Sequence, residues 1–293
     1  MSKFLFHQIG PWPLGMAWIG RQSDLPETAL SDAVNVDIRP EGSVVTARDW
    51  EQVLAAKGCS SLYRHAGANY GVVDGDVCII TPTGVEPMMP VDGAVSWAEV
   101  GHELYFATKS EIWKVSGRRC ERVSGAGDRD EMDFDDPLAP MPGGQWLDYW
   151  NGRLLVARGA KLLFSAPMRY GMHNPMTDYV FLGSRIEWVV ALETGIYVGT
   201  RDRVIWMAGS KPSELSLREV AGKSAPGMAI AVDGQALGED SRARYAVFFT
   251  RSGFAVGDSS GTVRYPQASR FSDLPLYRGK LVVDNNRIYA VRA

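Results

Sequence analysis

One hydrophobic–polar pattern recurs along the chain: a short apolar run, a polar turn of two or three residues, and a second apolar run. It occurs in "YGVVDGDVCIIT" from Tyr70, "LYFATKSEIWKV" from Leu104 and "LLVARGAKLLFSA" from Leu154. It returns in "IYVGTRDRVIWMA" from Ile196, "AVFFTRSGFAVGD" from Ala246 and "LVVDNNRIYAVRA" from Leu281. β-branched and aromatic residues dominate the runs, as strands require. Asn, Asp and Gly recur in the turns, where they tolerate left-handed backbone. The pattern predicts six hairpins, starting roughly 35 to 50 residues apart.

Each hairpin follows a further candidate strand that ends at a turn residue. These are "SLYRHAG" from Ser61, "VSWAEVG" from Val95, "QWLDYWNG" from Gln145, "IEWVVALETG" from Ile186, "MAIAVDG" from Met228 and "LPLYRG" from Leu274. The first five hairpins are also followed by one: "GVEPMMPV", "RCERVS", "YVFLG", "LSLREV" and "TVRYP". Four strands in about 40 residues is the unit of a β-propeller blade. An isolated hairpin is barely stable, so separate hairpin domains are a poor alternative. The expected fold is all-β, a single propeller of six four-stranded blades. Stacking buries both faces of a blade, which accounts for unbroken runs such as Val247-Phe248-Phe249.

The sixth unit has three of its strands before the chain ends and lacks a fourth. An unassigned strand lies in "GSVVTARDWEQV", residues 42–53. Pairing of residues 43–48 with residues 287–291 would close the ring and remove an exposed edge. The alternative is a capping strand on a sheet that stays open. Residues 1–41 fall outside the repeat and form an expected N-terminal arm, with 42–293 as the propeller domain. The arm carries Pro11, Pro13, Pro26 and Pro40 with Trp12 and Trp18. Pro-flanked tryptophans suit an arm that reaches onto a neighbour or folds back onto its own ring.

The stretch "LPETALSDAVNVDIRPEGSVVTARDW" from Leu25 resembles an opening shared by many tailed-bacteriophage virion proteins. The resemblance rests on Leu25, Pro26, Ala29, Leu30, Ala33, Asn35, Val36, Asp37 and Gly42. That opening ends in Arg-x-Gly, whereas here Arg48 is followed by Asp49-Trp50. The resemblance implies a β-rich structural protein of the tail or neck, assembled in the host cytoplasm and working among other tail proteins, fibres or a host receptor. Asn35 and Asp37 also have a local role, since their side chains suit bonds to nearby backbone amides.

Composition narrows the picture. The formal net charge is −3 with both signs interspersed, which argues against binding nucleic acid by bulk electrostatics. Cys59, Cys78 and Cys120 are too few, and odd in number, for a disulfide framework, so a reducing compartment is expected. The apolar N-terminus is broken by Gly10, Pro11, Pro13 and Gly15 and lacks a signal-peptide core. No run approaches the roughly 18 apolar residues of a membrane helix.

Catalytic signatures are sparse. "GDSSG" at 257–261 matches the form of a nucleophile elbow around Ser259, but a strand rather than a helix follows, so a plain turn is expected. His7, His65, His102 and His173 lack metal-ligand spacing, although His65 and His102 fall at matching ends of adjacent units. The acidic run "GDRDEMDFDD" holds Asp128, Asp130, Glu131, Asp133, Asp135 and Asp136 without EF-hand spacing. It reads as a long loop suited to contacting another subunit. Trp97, Trp113, Trp146, Trp150, Trp188 and Trp206 recur in the units and are expected to pack the blades. Asp74, Glu99, Asp148, Glu187 and Asp233 are the carboxylates expected near a central channel.

The expected function is non-enzymatic and structural, with no cofactor and no metal. Trp12, Trp18, Asp128, Asp130, Asp133 and Asp135 are its expected interface residues. The alternatives are a propeller hydrolase or lactonase with a channel site, and a receptor- or carbohydrate-binding module.

Overall fold

A computed structural model describes residues 58–123, 137–266, 268, 273–284 and 287–292, with strand residues 15–16, 29–30, 36–38 and 44–46. In the N-terminal part, β1 (Gly15–Met16) pairs in parallel with β2 (Ala29–Leu30). Next, β3 (Val36–Ile38) pairs antiparallel with β4 (Val44–Thr46).

Five four-stranded antiparallel sheets follow. The first contains β5 (Cys59–His65), β6 (Ala68–Val73), β7 (Asp76–Thr81) and β8 (Gly84–Pro90). The second contains β9 (Ser96–Val100), β10 (Glu103–Ala107), β11 (Ile112–Ser116) and β12 (Arg119–Arg122). A small ladder then joins β13 (Ala139–Pro140) to β17 (Met172–His173). The third sheet contains β14 (Trp146–Trp150), β15 (Arg153–Arg158), β16 (Lys161–Phe164) and β18 (Tyr179–Phe181). The fourth contains β19 (Ile186–Leu192), β20 (Gly195–Thr200), β21 (Arg203–Ala208) and β22 (Ser216–Gly222). The fifth contains β23 (Ser224–Asp233), β24 (Arg244–Thr250), β25 (Gly253–Gly257) and β26 (Val263–Arg264). A hairpin of β27 (Gly279–Asp284) and β28 (Arg287–Arg292) ends the series. Among the described residues the only helical pieces are two 3-10 turns, Pro212–Glu214 and Gly234–Leu237.

Local chemistry explains the meanders. Asp74-Gly75 and Asn151-Gly152 take positive φ at both positions, the backbone that a tight two-residue hairpin needs. Long-range packing explains the lost alternation. Leu154 and Val156 face the second sheet, in a cluster with Tyr105 and Ile112. Leu155 and Ala157, one residue out of phase, face the fourth sheet with Ile196 and Val198. Each side of the strand meets a different core, so every position is apolar. The same holds along the series, with one apolar cluster between each consecutive pair of sheets. The last joins the fifth sheet to Leu281, Val283 and Ile288 of the terminal hairpin.

At the joint between the fourth and fifth sheets, aromatic rings press against bare backbone. A Cβ at Gly257 would lie 2.4 Å from the Tyr197 ring, and one at Gly261 2.2 Å from the Trp206 ring. Within the fourth sheet, a Cβ at Gly199 would lie 2.1 Å from Trp188. Glycine leaves the notches in which these rings sit.

One expectation about the C-terminal end needs correction. "LPLYRG" does not form a strand: residues 274–278 are irregular, and regular pairing starts at Gly279. Pro275 lacks a donor and restrains Leu274, which opposes a ladder there. As a result β27, rather than an upstream strand, packs beside β23 at the inner position. The pairing of residues 43–48 with residues 287–291 falls partly outside the described residues, which here include only 44–46. The described partner of β4 is β3, and that of β28 is β27.

Candidate functional site

The first strands of the units, β5, β9, β14, β19, β23 and β27, lie next to one another in succession. Side chains from separate sheets meet along this row of inner strands. Lys280 on β27 places its ammonium 4.8 Å above the Trp146 ring on β14, three units away. Tyr63 on β5 feels the charges of Glu99, Asp148 and Arg244, which belong to three other sheets.

The most chemically equipped part of this row is the half where the inner strands end. His65 Nδ1 is 2.9 Å from Glu99 Oε1, and His65 Nε2 is 3.2 Å from the His102 carbonyl. Both partners accept, so the two bonds are donated together only by a ring carrying two N–H groups. Tyr63 stacks on Trp97 at 6.1 Å. Burial raises its phenol pKa well above the usual range, helped by the negative charges of Glu99 and Asp148.

Asp148 is half-buried on β14. Its Oδ1 accepts from the Tyr149 N–H at 2.8 Å, and its Oδ2 accepts from the Ala191 N–H of the next sheet at 2.8 Å. Burial dominates these bonds and the pull of Arg244, and pushes the carboxyl up to about 6. A carboxyl that is partly protonated near neutral pH, beside an imidazole–carboxylate pair and a guanidinium, can move a proton or hold a polar ligand. Among the described residues no group of three or more His, Cys, Asp or Glu is placed to hold a metal.

The sequence-predicted residues separate as follows. His65 and His102 do approach each other, through a ring and a carbonyl. Glu99 and Asp148 both act on Tyr63. Glu187 lies at the opposite rim, among arginines. Asp233 is exposed at the strand-end rim, opposite Arg244 in the ladder. Asp74 belongs instead to the β6–β7 turn, where Oδ1 accepts from the Gly58 N–H at 2.9 Å. Ser259 sits in a turn organised by Asp258 Oδ1, which accepts from the Ser260 and Thr262 amides, so no elbow forms. His173 is buried with Nδ1 unpartnered, and burial lowers its pKa. Trp97, Trp150, Trp188 and Trp206 are buried between sheets, as blade packing requires. Trp12, Trp18, Asp128, Asp130, Asp133 and Asp135 lie outside the described residues. Sequence reasoning missed Tyr63 and Arg244, whose types carry no signal until the sheets bring them together.

No protein-family profile matches the sequence, and neither does any curated protein. Solved structures do. The chain is similar to the extracellular domain of a hybrid two-component system from B. thetaiotaomicron, with 9% identity and a TM-score of 0.53 over 83% of this chain and 33% of that one. A second match is streptogramin B lyase, with 8% identity and a TM-score of 0.50 over 88% and 83%. A third is a chain of an S. cerevisiae Dbp5 complex with Nup159 and Gle1, with 10% identity and a TM-score of 0.50 over 80% and 73%. The fold is β-propeller-like. The chain spans about a third of the length of the B. thetaiotaomicron domain, and at these identities the likeness concerns fold alone. The five sheets are blade-like, and His65, Glu99 and Asp148 come from the inner strands of the first three.

Proposed function

We propose that the chain is a non-enzymatic structural component of a bacteriophage tail, joining other tail proteins or fibres. One observation carries the reading: a single chain sets the opening residues Leu25, Pro26, Asn35, Val36 and Asp37 ahead of a stack of propeller-like blades. Blades offer a rigid body with many loops, which suits a joining role. Met176 (80% exposed) and Phe181 (62% exposed) flank Tyr179 at the rim of the third blade, an apolar surface suited to a protein partner. In the full reading the ring has six blades. The terminal hairpin β27–β28 occupies the inner half of the sixth, and the N-terminal β3–β4 hairpin supplies its outer half.

Mass spectrometry of gradient-purified tailed particles from the source tests this reading, with peptide signals calibrated to copy number. A constant small number of copies per particle is the expected result, and absence from the particles overturns it.

The group around His65, Glu99 and Asp148 favours a second reading, a propeller hydrolase or lactonase. Its proton donor would be Asp148, held near neutral pKa, with Arg244 facing developing negative charge. Turnover of lactones or esters by the purified chain, abolished in Asp148→Asn, would establish that reading in place of the structural one.

A further inference from the structure

The rim at which the inner strands begin holds a charge arrangement that neither reading uses. Glu187, on β19, has a side chain only 9% exposed. Three arginines converge on it from separate places in the chain. Arg185 Nε is 3.9 Å and Arg201 Nε 3.5 Å from Oε1, and Arg278 Nη2 is 3.7 Å from Oε2. Arg185 precedes β19, Arg201 lies in the β20–β21 turn, and Arg278 precedes β27. The Arg201 N–H donates to the Arg185 carbonyl at 3.1 Å, which ties two of the stations together.

The separations are those of a loose ion cluster. At 3.5–3.9 Å the carboxylate attracts the guanidiniums without consuming their donors, and each guanidinium has five N–H groups. Three guanidiniums against one carboxylate leave two positive charges uncompensated. Lys280 adds a third. It follows Arg278 by two residues, where the chain enters β27. Its ammonium rests on the Trp146 ring, and among the described residues no carboxylate forms an ion pair with it. Solvent reaches Lys280, yet the surrounding protein displaces enough bulk water to lower its pKa. A buried glutamate thus gathers three arginines, and Lys280 follows on β27 with no carboxylate ion pair among the described residues.

We infer that this rim is a binding site for a multiply charged oxyanion, a phosphate- or carboxylate-bearing ligand, gripped by Arg185, Arg201, Arg278 and Lys280 with Glu187 as their spacer. Guanidinium forks match two oxygens of either group, and the lysine contributes a point charge. Like charges at this spacing repel one another, so an anion relieves a cost already built into the folded chain.

The test is calorimetric titration of the whole chain with inorganic pyrophosphate and, separately, with citrate, at fixed near-physiological ionic strength. Saturable binding of at least one anion is expected. It should weaken about tenfold or more in Arg278→Gln and in Lys280→Met. Both variants keep most of the side-chain stem, and both positions are open to solvent, so the fold survives. Binding of pyrophosphate alone assigns a phosphate-bearing ligand, binding of citrate alone a polycarboxylate, and binding of both a general oxyanion site. The inference is overturned if neither anion saturates by about 10 mM. It is equally overturned if the Arg201→Gln/Arg278→Gln double variant binds as tightly as the parent chain.

Discussion

The joint between the fourth and fifth blades and the free flank of the first blade are built from the same repeat, yet they differ in almost every physical respect. At the joint, Trp188 stacks near Phe248 at 5.2 Å and Tyr197 near Trp206 at 4.5 Å. The Trp188 indole N–H donates to Ser224 Oγ at 2.9 Å, and the Tyr197 hydroxyl donates to the Asp258 carbonyl at 2.9 Å. Every residue of β20 is buried. On β5 no residue is fully buried, the pattern alternates, and Leu62 is 65% exposed. Val282, on the terminal hairpin at the other end of the series, is exposed as well. The repeat specifies a hairpin; the number of neighbours decides how much of it becomes core.

The largest expected effect comes from removing the joint's central ring. Trp188→Ala should cost about 3–5 kcal/mol, from the lost contacts, the cavity and the orphaned Ser224 hydroxyl. Urea denaturation measures it, and a cost under about 1 kcal/mol would mean that the joint is looser than its geometry.

A smaller effect is expected from Asp148, which the closed side of the structure holds in a partly desolvated place. Its folded pKa of about 6 lies above the ordinary carboxylate value of 3.8. The protonated form is therefore favoured by folding. That contribution is complete below about pH 4 and is lost as pH rises through about 6. Asp148→Asn cannot ionise, so the parent should lose stability relative to it across this window. Allowing for partial solvent screening, the relative loss is about 2 kcal/mol by pH 7. Denaturation at pH 4, 5, 6 and 7 reads the slope, and parallel curves would remove the assigned shift.

The smallest effect is expected at the open flank. Leu62→Ala should change stability by less than about 0.5 kcal/mol, since the side chain is mostly in water. A cost above about 2 kcal/mol would show that another surface covers this flank and would erase the contrast with the joint.

Much of this architecture was legible in the sequence. All six hairpins formed, because the apolar runs encode two buried faces and local turns such as Asp74-Gly75 connect them; Asn151-Gly152 likewise joins an upstream strand to its hairpin. Five of the six upstream strands formed too. The sixth failed where Pro275 interrupts it, and a proline there could have been read against a ladder from the start. The candidate site was half legible. His65 and His102 fell near the same ends of adjacent units, which put a contact between them within reach. Asp74 was misplaced because Asp-Gly in a hairpin already has a turn role, and that role outweighed a place in the channel. The arginine cluster could not be read at all. Arg185, Arg201 and Arg278 span nearly a hundred residues, and nothing local to any of them announces the others.

The glycine notches bear on how interchangeable the blades are. A repeat protein invites the idea that units can be duplicated, deleted or exchanged. Tyr197 and Trp206 of one blade, however, fit only against a neighbour that offers bare backbone at Gly257 and Gly261. A copy of the fourth blade placed beside any other would meet a side chain where it needs a hollow. At this joint the chain has given up modularity, and its two blades are expected to diversify as a pair.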